Sequence, residues 1–255
     1  MNVVRNAVTI CMFVFLLTPS YSFAETPTKQ VAIIIDDLGN NMTGTKEILA
    51  LPIPITVAIM PFLPTSKSDA EAAHRLGHDV IIHLPMEPLH GKRSWLGPGS
   101  ITTDLSSKEI RYRVEQAIKD VPHAIGVNNH MGSKVTADKR VMKIVLEVCR
   151  EHGLIFIDSK TSPKNVVSKL AVELGVPYLE NQLFFDDVYT TQHIIGQTKK
   201  LIHKLEHSNH IVAIGHVGPP GEKTAAILRD FIPVIKENAE FVKASSLVPE
   251  RQFIQ

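Results

Sequence analysis

The sequence predicts a single-domain α/β fold on a parallel sheet, of the size of a (β/α) barrel. Three observations carry that expectation. Short apolar runs and amphipathic segments alternate along most of the chain, the rhythm of strand–helix–strand units with right-handed crossovers. The runs are apolar throughout, as strands covered on both faces are. Residues 25–255, which follow a leader-like start, come near the ~250 residues typical of such a barrel. No internal repeat, low-complexity tract or linker divides them.

The start reads as a cleavable signal peptide over residues 1–24. Arg5 gives a positive n-region, 7–17 an uncharged apolar core, and Ser22-Phe23-Ala24 a small-residue cleavage site. That core is short of the ~20 residues a membrane span needs, so no stable span is expected after cleavage. The expected location is periplasmic or secreted. Cys11 leaves with the leader, and Cys149 is then the only thiol. It falls on an apolar helix face and reads as a buried small residue. No intramolecular disulfide can form, so stability rests on packing. A formal net charge of +1 gives no general pull towards nucleic acid or anionic lipid.

Residues 25–30 read as a polar lead-in, 31–247 as the barrel and 248–255 as a tail. Strands are expected at 31–35, 55–60, 80–84, 124–127, 154–157, 177–179 with 183–185, and 211–214, with a short last one at 240–242. Helices are expected at 43–50, 66–76, 106–119, 138–152, 162–174, 191–207 and 224–238. Ser106 with Glu109 forms a capping box. Ser162-Pro163 reads as N-cap and N1 of its helix. Gly77 and Gly153 close the helices before them. The Pro- and Gly-rich connection 85–104 is longer than usual between strand and helix, which favours a functional reading of it.

The most informative stretch is 31–39, Val-Ala-Ile-Ile-Ile-Asp-Asp-Leu-Gly. A buried strand ends there in two acids, where parallel α/β folds gather their chemistry. Strict alternation along a strand sends Asp36 and Asp37 to opposite faces. Further polar groups follow later strands: His83 and Glu87; Asn128, Asn129, His130 and Ser133; Asp158 and Ser159; Asp186 and Asp187; His216. In a closed parallel barrel they share one mouth. Asp, His and His together suit a divalent ion such as zinc, with a position left open for water. Such an ion lowers the pKa of water and polarises a carbonyl. Each histidine is also compatible with a plain structural role, His83 most of all.

Several segments taken together resemble the divergent polysaccharide deacetylases, exported bacterial relatives of the metal-dependent polysaccharide deacetylases. They are 33–39 (Ile-Ile-Ile-Asp-Asp-Leu-Gly), 77–88 (Gly-His-Asp-Val-Ile-Ile-His-Leu-Pro-Met-Glu-Pro), 129–133 (Asn-His-Met-Gly-Ser), 156–159 (Phe-Ile-Asp-Ser) and Gly215-His216. The resemblance spans nearly all of 31–245. It implies a distorted seven- to eight-stranded (β/α) barrel with an Asp-His-His metal site. It makes Asp36 the catalytic base, Asp37 and His83 metal ligands, His216 the acid for the leaving group and Asp158 the acid that orients His216. Glu87 stands where the parent family has its second metal histidine. Either Glu87 fills that place or His130 does; His130 keeps the parent's two imidazoles and one carboxylate, leaving Glu87, Asn129 and Ser133 to hold substrate. An arginine that steadies the base in the parent family has no counterpart near Asn129.

The implied activity is removal of N-acetyl groups from amino-sugar glycans such as peptidoglycan, by a hydrolase using a divalent metal, zinc by expectation. The alternative is a glycan-binding or cell-envelope partner protein that keeps the barrel without the chemistry.

Overall fold

The computed structural model describes residues 29–248. The signal peptide expected at 1–24, most of the lead-in and the tail beyond Val248 lie outside the described residues.

The chain builds β1 (Gln30–Leu38), α1 (Thr45–Leu49), β2 (Thr56–Ile59), α2 (Ser66–Arg75), β3 (Asp79–Met86), α3 (Ser107–Asp120), β4 (Ala124–Met131), α4 (Lys139–Glu151), β5 (Ile155–Asp158), α5 (Val167–Leu174), β6 (Tyr178–Glu180), β7 (Leu183–Phe184), α6 (Thr191–Leu205), β8 (His210–His216), α7 (Gly221–Lys236) and β9 (Glu240–Val242). The sheet runs β6-β5-β4-β3-β2-β1-β8-β7. Every pairing in it is parallel. It curls into a distorted half-barrel that stays open between β6 and β7. The ninth strand, β9, pairs with the first three residues of β1, on the edge that β2 uses further along.

Strand alternation divides the core in two. Val31, Ile33 and Ile35 face the helices, with Phe156, Val145 and Leu201. Ala32 and Ile34 face the inside of the curl, with Ala58, Ile81, Ile155, Ile157, Val212 and Ile214. Each fully buried Ile contributes about 1.5–3 kcal/mol. Beyond β9 the chain reaches the β2 and β3 starts, where the Ala244 N–H donates to Thr56 Oγ1 and the Ser245 N–H to Asp79 Oδ2.

The elements match the expected order, and their ends differ for local reasons. Gln30 already belongs to β1, which also runs on through both acids. Ser106 caps α3 by accepting from the Glu109 N–H, but the Glu109 side chain turns to Arg113 instead of closing a capping box. The helix expected from 162 begins at Val167. Ser162 Oγ accepts from Lys164 N in a local turn, and the Asn165 side chain bonds Asp158 and Ser162 O. That segment is tied to the strand end before it can coil. Among the described residues no helix is long and apolar enough to cross a membrane.

Candidate metal centre

The inward-facing rows of the curl run up to the strand ends and become polar there. Ala32 and Ile34 lead to Asp36, Ile81 leads to His83, Gly126 leads to Asn128 and His130, and Val212 and Ile214 lead to His216. The register sets His83 against Asn128 and Asp36 against His216 on neighbouring strands.

Asp37 breaks the alternation. The β1–β2 register shifts between Ile35 and Leu38, and Asp37 has φ 71°. This is a bulge with its extra residue in the left-handed region, which Asp tolerates better than most. Both acids therefore line one cleft of about 240 Å³, and the expectation of opposite faces is corrected by the bulge. Gly39 follows at φ 119°, where a Cβ would stand 2.8 Å from the Met60 carbonyl, so the turn that ends the motif needs glycine.

Three ligating atoms meet in that cleft. Asp37 Oδ1 lies 3.2 Å from His83 Nε2 and 3.0 Å from His130 Nδ1, and the two ring nitrogens are 3.0 Å apart. Their outer partners settle which atoms carry protons. Asn128 Nδ2 donates to Asp36 Oδ1 at 2.8 Å, so Asn128 Oδ1 accepts from His83 Nδ1 at 2.7 Å. His130 Nε2 donates to the Trp95 carbonyl at 3.3 Å. With these protons in place, the neutral imidazoles turn lone pairs towards Asp37. Asp37 Oδ1 is accordingly buried without a hydrogen bond, unlike every other buried side-chain polar atom among the described residues.

Three lone pairs at about 3 Å repel one another unless a cation lies between them. Tetrahedral donors about 2.0 Å from a zinc ion stand roughly 3.3 Å apart, and the observed triangle is close to that. The residues present fit a divalent ion. Burial raises the Asp37 carboxyl, but with no ion between them, hydrogen bonds donated by His130 and His83 and the positive charge of rings that carry the proton an ion would replace outweigh burial and hold it well below the ordinary carboxylate range. Burial pushes His83 down, while Asp36 and Asp37 push it up further, so its net shift is upward. Burial also raises Asp36, against the opposing pull of His83 and His216.

His216 stands beside this triad with its own support. Its Nδ1 lies 2.7 Å from Asp186 Oδ1, and Asp186 Oδ2 accepts from the His216 N–H and from Thr224 Oγ1. Burial alone would lower His216. The hydrogen bond to Asp186 and the charges of Asp36, Asp186 and Asp37 overcome it and lift the imidazole to about 9.

A family model described as divergent polysaccharide deacetylase matches residues 33–248. The chain belongs to that family. Among its relatives, the uncharacterized protein YibQ of Escherichia coli K12 is 34% identical over 223 residues, covering 88% of this chain and 68% of YibQ. An uncharacterized protein of Haemophilus influenzae is 33% identical, covering 100% of this chain and 91% of its own. Among solved structures, the uncharacterized protein ATU2773 of Agrobacterium tumefaciens C58 superposes with a TM-score of 0.81 at 19% identity, over 89% and 92% of the two chains. BA3943, a CE4 family pseudoenzyme from Bacillus anthracis, gives 0.52 at 14% identity over 88% and 66%. The catalytic domain of a peptidoglycan N-acetylglucosamine deacetylase from Eubacterium rectale gives 0.52 at 12% over 87% and 91%. At these identities the solved structures show a common fold.

In this chain Asp36, Asp37, His83, His130, Asn129 and His216 share the cleft, while other expected site residues stand elsewhere. Asp158 does not orient His216, and Asp186 does. The cause is parity: Ile155 and Ile157 face inward, so Asp158 faces outward, where it accepts from Lys160 N and Asn165 Nδ2. Glu87 is not in the ligand triangle. Its carboxylate accepts from Thr103 N, Thr103 Oγ1 and Lys134 Nζ, which fastens the 85–104 connection rather than leaving the carboxylate for substrate. Ser133 serves the same end by accepting from the Leu89 N–H. Asn129 is buried; its Oδ1 accepts from Ser159 N and its Nδ2 donates to the Met131 carbonyl. The sequence pattern alone assigns no role to Asn128 or Asp186. Register gives a signal for both: Asn128 lies opposite His83, and Asp186 stands two residues beyond Phe184, which pairs with Ile214.

Proposed function

We propose that the protein is an exported, metal-dependent hydrolase that removes N-acetyl groups from an amino-sugar glycan such as peptidoglycan. The observation that carries the reading is the convergence of three lone pairs from Asp37, His83 and His130 beside Asp36 and an acid-supported His216. Family membership supports the reaction class, and the composition of residues 1–24 supports export to the periplasm or beyond.

Asp37, His83 and His130 would hold the ion, zinc by the character of two imidazoles and one carboxylate. When bound, the ion polarises the acetyl carbonyl and lowers the pKa of water. Asp36, fixed by Asn128, takes the proton of the attacking water. A C–O bond forms to the acetyl carbon and the C–N bond breaks. His216 gives its proton to the departing nitrogen, and Asp186 stabilises the cationic imidazole that this requires. Acetate and a free amine leave. Asn128 covers part of the role of the missing arginine, because it orients the base and fixes the His83 tautomer with one amide.

The test is acetate release from N-acetylglucosamine oligomers by the purified mature chain with added zinc, cobalt, nickel or manganese. Turnover that stops in Asp36→Asn supports the proposal. Absence of turnover with every one of these metals contradicts it. The second reading, a glycan-binding envelope protein, draws on the fact that a CE4 family pseudoenzyme carries the same fold. Saturable glycan binding by a chain that retains no metal would favour it.

A further inference from the structure

The connection 85–104 is zipped at its base and lightly held at its tip. At the base the Ile101 N–H donates to the Pro85 carbonyl at 2.8 Å, and the Glu87 N–H donates to the Ile101 carbonyl at 2.9 Å. The Glu87 carboxylate binds Thr103 and Lys134 there as well. Above the base, among the described residues, one hydrogen bond joins 90–98 to the rest of the molecule: His130 Nε2 donates to the Trp95 carbonyl at 3.3 Å. The Trp95 N–H turns back on the Lys92 carbonyl, within the tip itself. Leu96 is 1% exposed, whereas Trp95 is 60% exposed, with Lys92 Nζ 5.9 Å from its ring centre. The tip is thus seated by one buried leucine and one backbone carbonyl, and the indole adds little burial.

That carbonyl meets the least secured corner of the ligand triangle. The His83 side chain is 2% exposed and gives its Nδ1 proton to Asn128 at 2.7 Å, so the neighbouring strand fixes it. The His130 side chain is 19% exposed, and its outer nitrogen has the loop carbonyl as its partner among the described residues. The sheet sets Asp37 and His83. His130 stands on β4 but takes its ring orientation from the connection. An imidazole that gives one lone pair to an ion becomes a stronger donor through its other nitrogen, and the group that accepts there fixes the ring. Ion and tip therefore favour each other, by the same factor in either direction.

We propose that the 90–98 tip is a positioning element of the metal centre: the Trp95 carbonyl fixes the His130 ring, and ion binding and the seating of the tip are coupled through it. The proposal rests on the reading of Asp37, His83 and His130 as the ligand set. It makes the connection responsive to the ion, seated when the centre is loaded and looser when it is not.

Trp95 is the single tryptophan of the chain, so its fluorescence reads the tip directly, and zinc has no redox chemistry with which to quench it. EDTA-treated mature chain is titrated with zinc. Calorimetry follows the ion, and acrylamide quenching of Trp95 follows the tip. Quenching should fall along the same isotherm as zinc binding. Hydrogen exchange at 90–98 should slow on loading, and by more than at 167–174 in α5. Leu96→Ala, which loosens the tip without touching a ligand, should weaken zinc binding about tenfold, the low end for losing an outer partner. Val172→Ala, exposed on α5, should leave zinc affinity and the quenching response as in the wild type. Zinc binding with unchanged quenching and exchange at 90–98 overturns the proposal and leaves the metal centre standing. Wild-type zinc affinity in a folded Leu96→Ala overturns it too. Absence of zinc binding by the wild type overturns both. Quenching and exchange are read on the wild type, so the test holds even if Leu96→Ala fails to fold.

Discussion

Two regions of this molecule offer a metal ion the same count of ligands. Asp37, His83 and His130 form one set, and His203, Glu206 and His207, at the end of α6, form another; in each, all ligating atoms lie within 4.8 Å of one another. The two differ in what surrounds them. His83 is 2% exposed, and its other nitrogen is held by Asn128, as that of His130 is by a carbonyl. The side chains of His203, Glu206 and His207 are 70%, 61% and 76% exposed. Among the described residues neither imidazole has a hydrogen-bond, ion-pair or ring partner other than Glu206 and the neighbouring ring. An ion at the surface set must first freeze three mobile side chains in water. At the buried set, packing and the outer hydrogen bonds have already fixed the donors. Ligand count is equal and preorganisation is not, so the buried set should bind far more tightly.

The largest expected effect comes from removing a buried ligand. His83→Ala should abolish acetate release and weaken zinc binding by more than about 100-fold, beyond the ~10–100-fold typical of losing an outer-shell partner. His203→Ala with His207→Ala should leave both unchanged, with stability shifted by no more than about 0.5 kcal/mol. A zinc titration of each variant reads the difference, and loss of tight zinc only in the surface variant would reverse the comparison.

A smaller effect is expected at Asn128, which touches no ligand at the surface set and has no equivalent there. Asn128→Ala should lower zinc affinity about 10–100-fold and reduce turnover further, because Asp36 loses its fixed donor. Unaltered zinc affinity would show that the outer layer does not account for the contrast.

The smallest and most specific effect is a shift in pH dependence. His216 is lifted to about 9, so it is protonated, and competent to give a proton, below that pH. Activity should fall as pH rises through about 9. Asp186→Asn removes the hydrogen-bonded charge, so the alkaline limb should move down towards the ordinary imidazole value of about 6.5. A kcat/KM profile that keeps its limb near 9 in this variant would detach Asp186 from His216.

The same contrast explains what the sequence could convey. The surface set is local, three residues within five positions, and any scan for histidine spacing finds it. The buried set spans 94 positions from Asp37 to His130 and becomes visible only once strands are placed and their parity followed. Parity carried Asp36, His83, His130 and His216 to one mouth, because each extends an inward row. It would also have excluded Asp158, which follows the outward row through Phe156. The bulge at Asp37 was not legible, since a left-handed residue inside an apolar strand leaves no mark in composition. Nor was the fate of Glu87 and Ser133, whose partners Thr103, Lys134 and Leu89 belong to loops with no period. α5 starts late because Ser162 closes a local turn on Lys164 and Asn165 donates to Asp158 at the β5 end, neither of which caps a helix.

The most direct test is a crystal structure of the mature chain grown with equimolar zinc, with anomalous data collected at the zinc edge. The account predicts one dominant peak within bonding distance of Asp37 Oδ1, His83 Nε2 and His130 Nδ1, and a weak peak or none at His203. A dominant peak at the surface set, or an empty triangle around Asp37 at full zinc occupancy elsewhere, would contradict it.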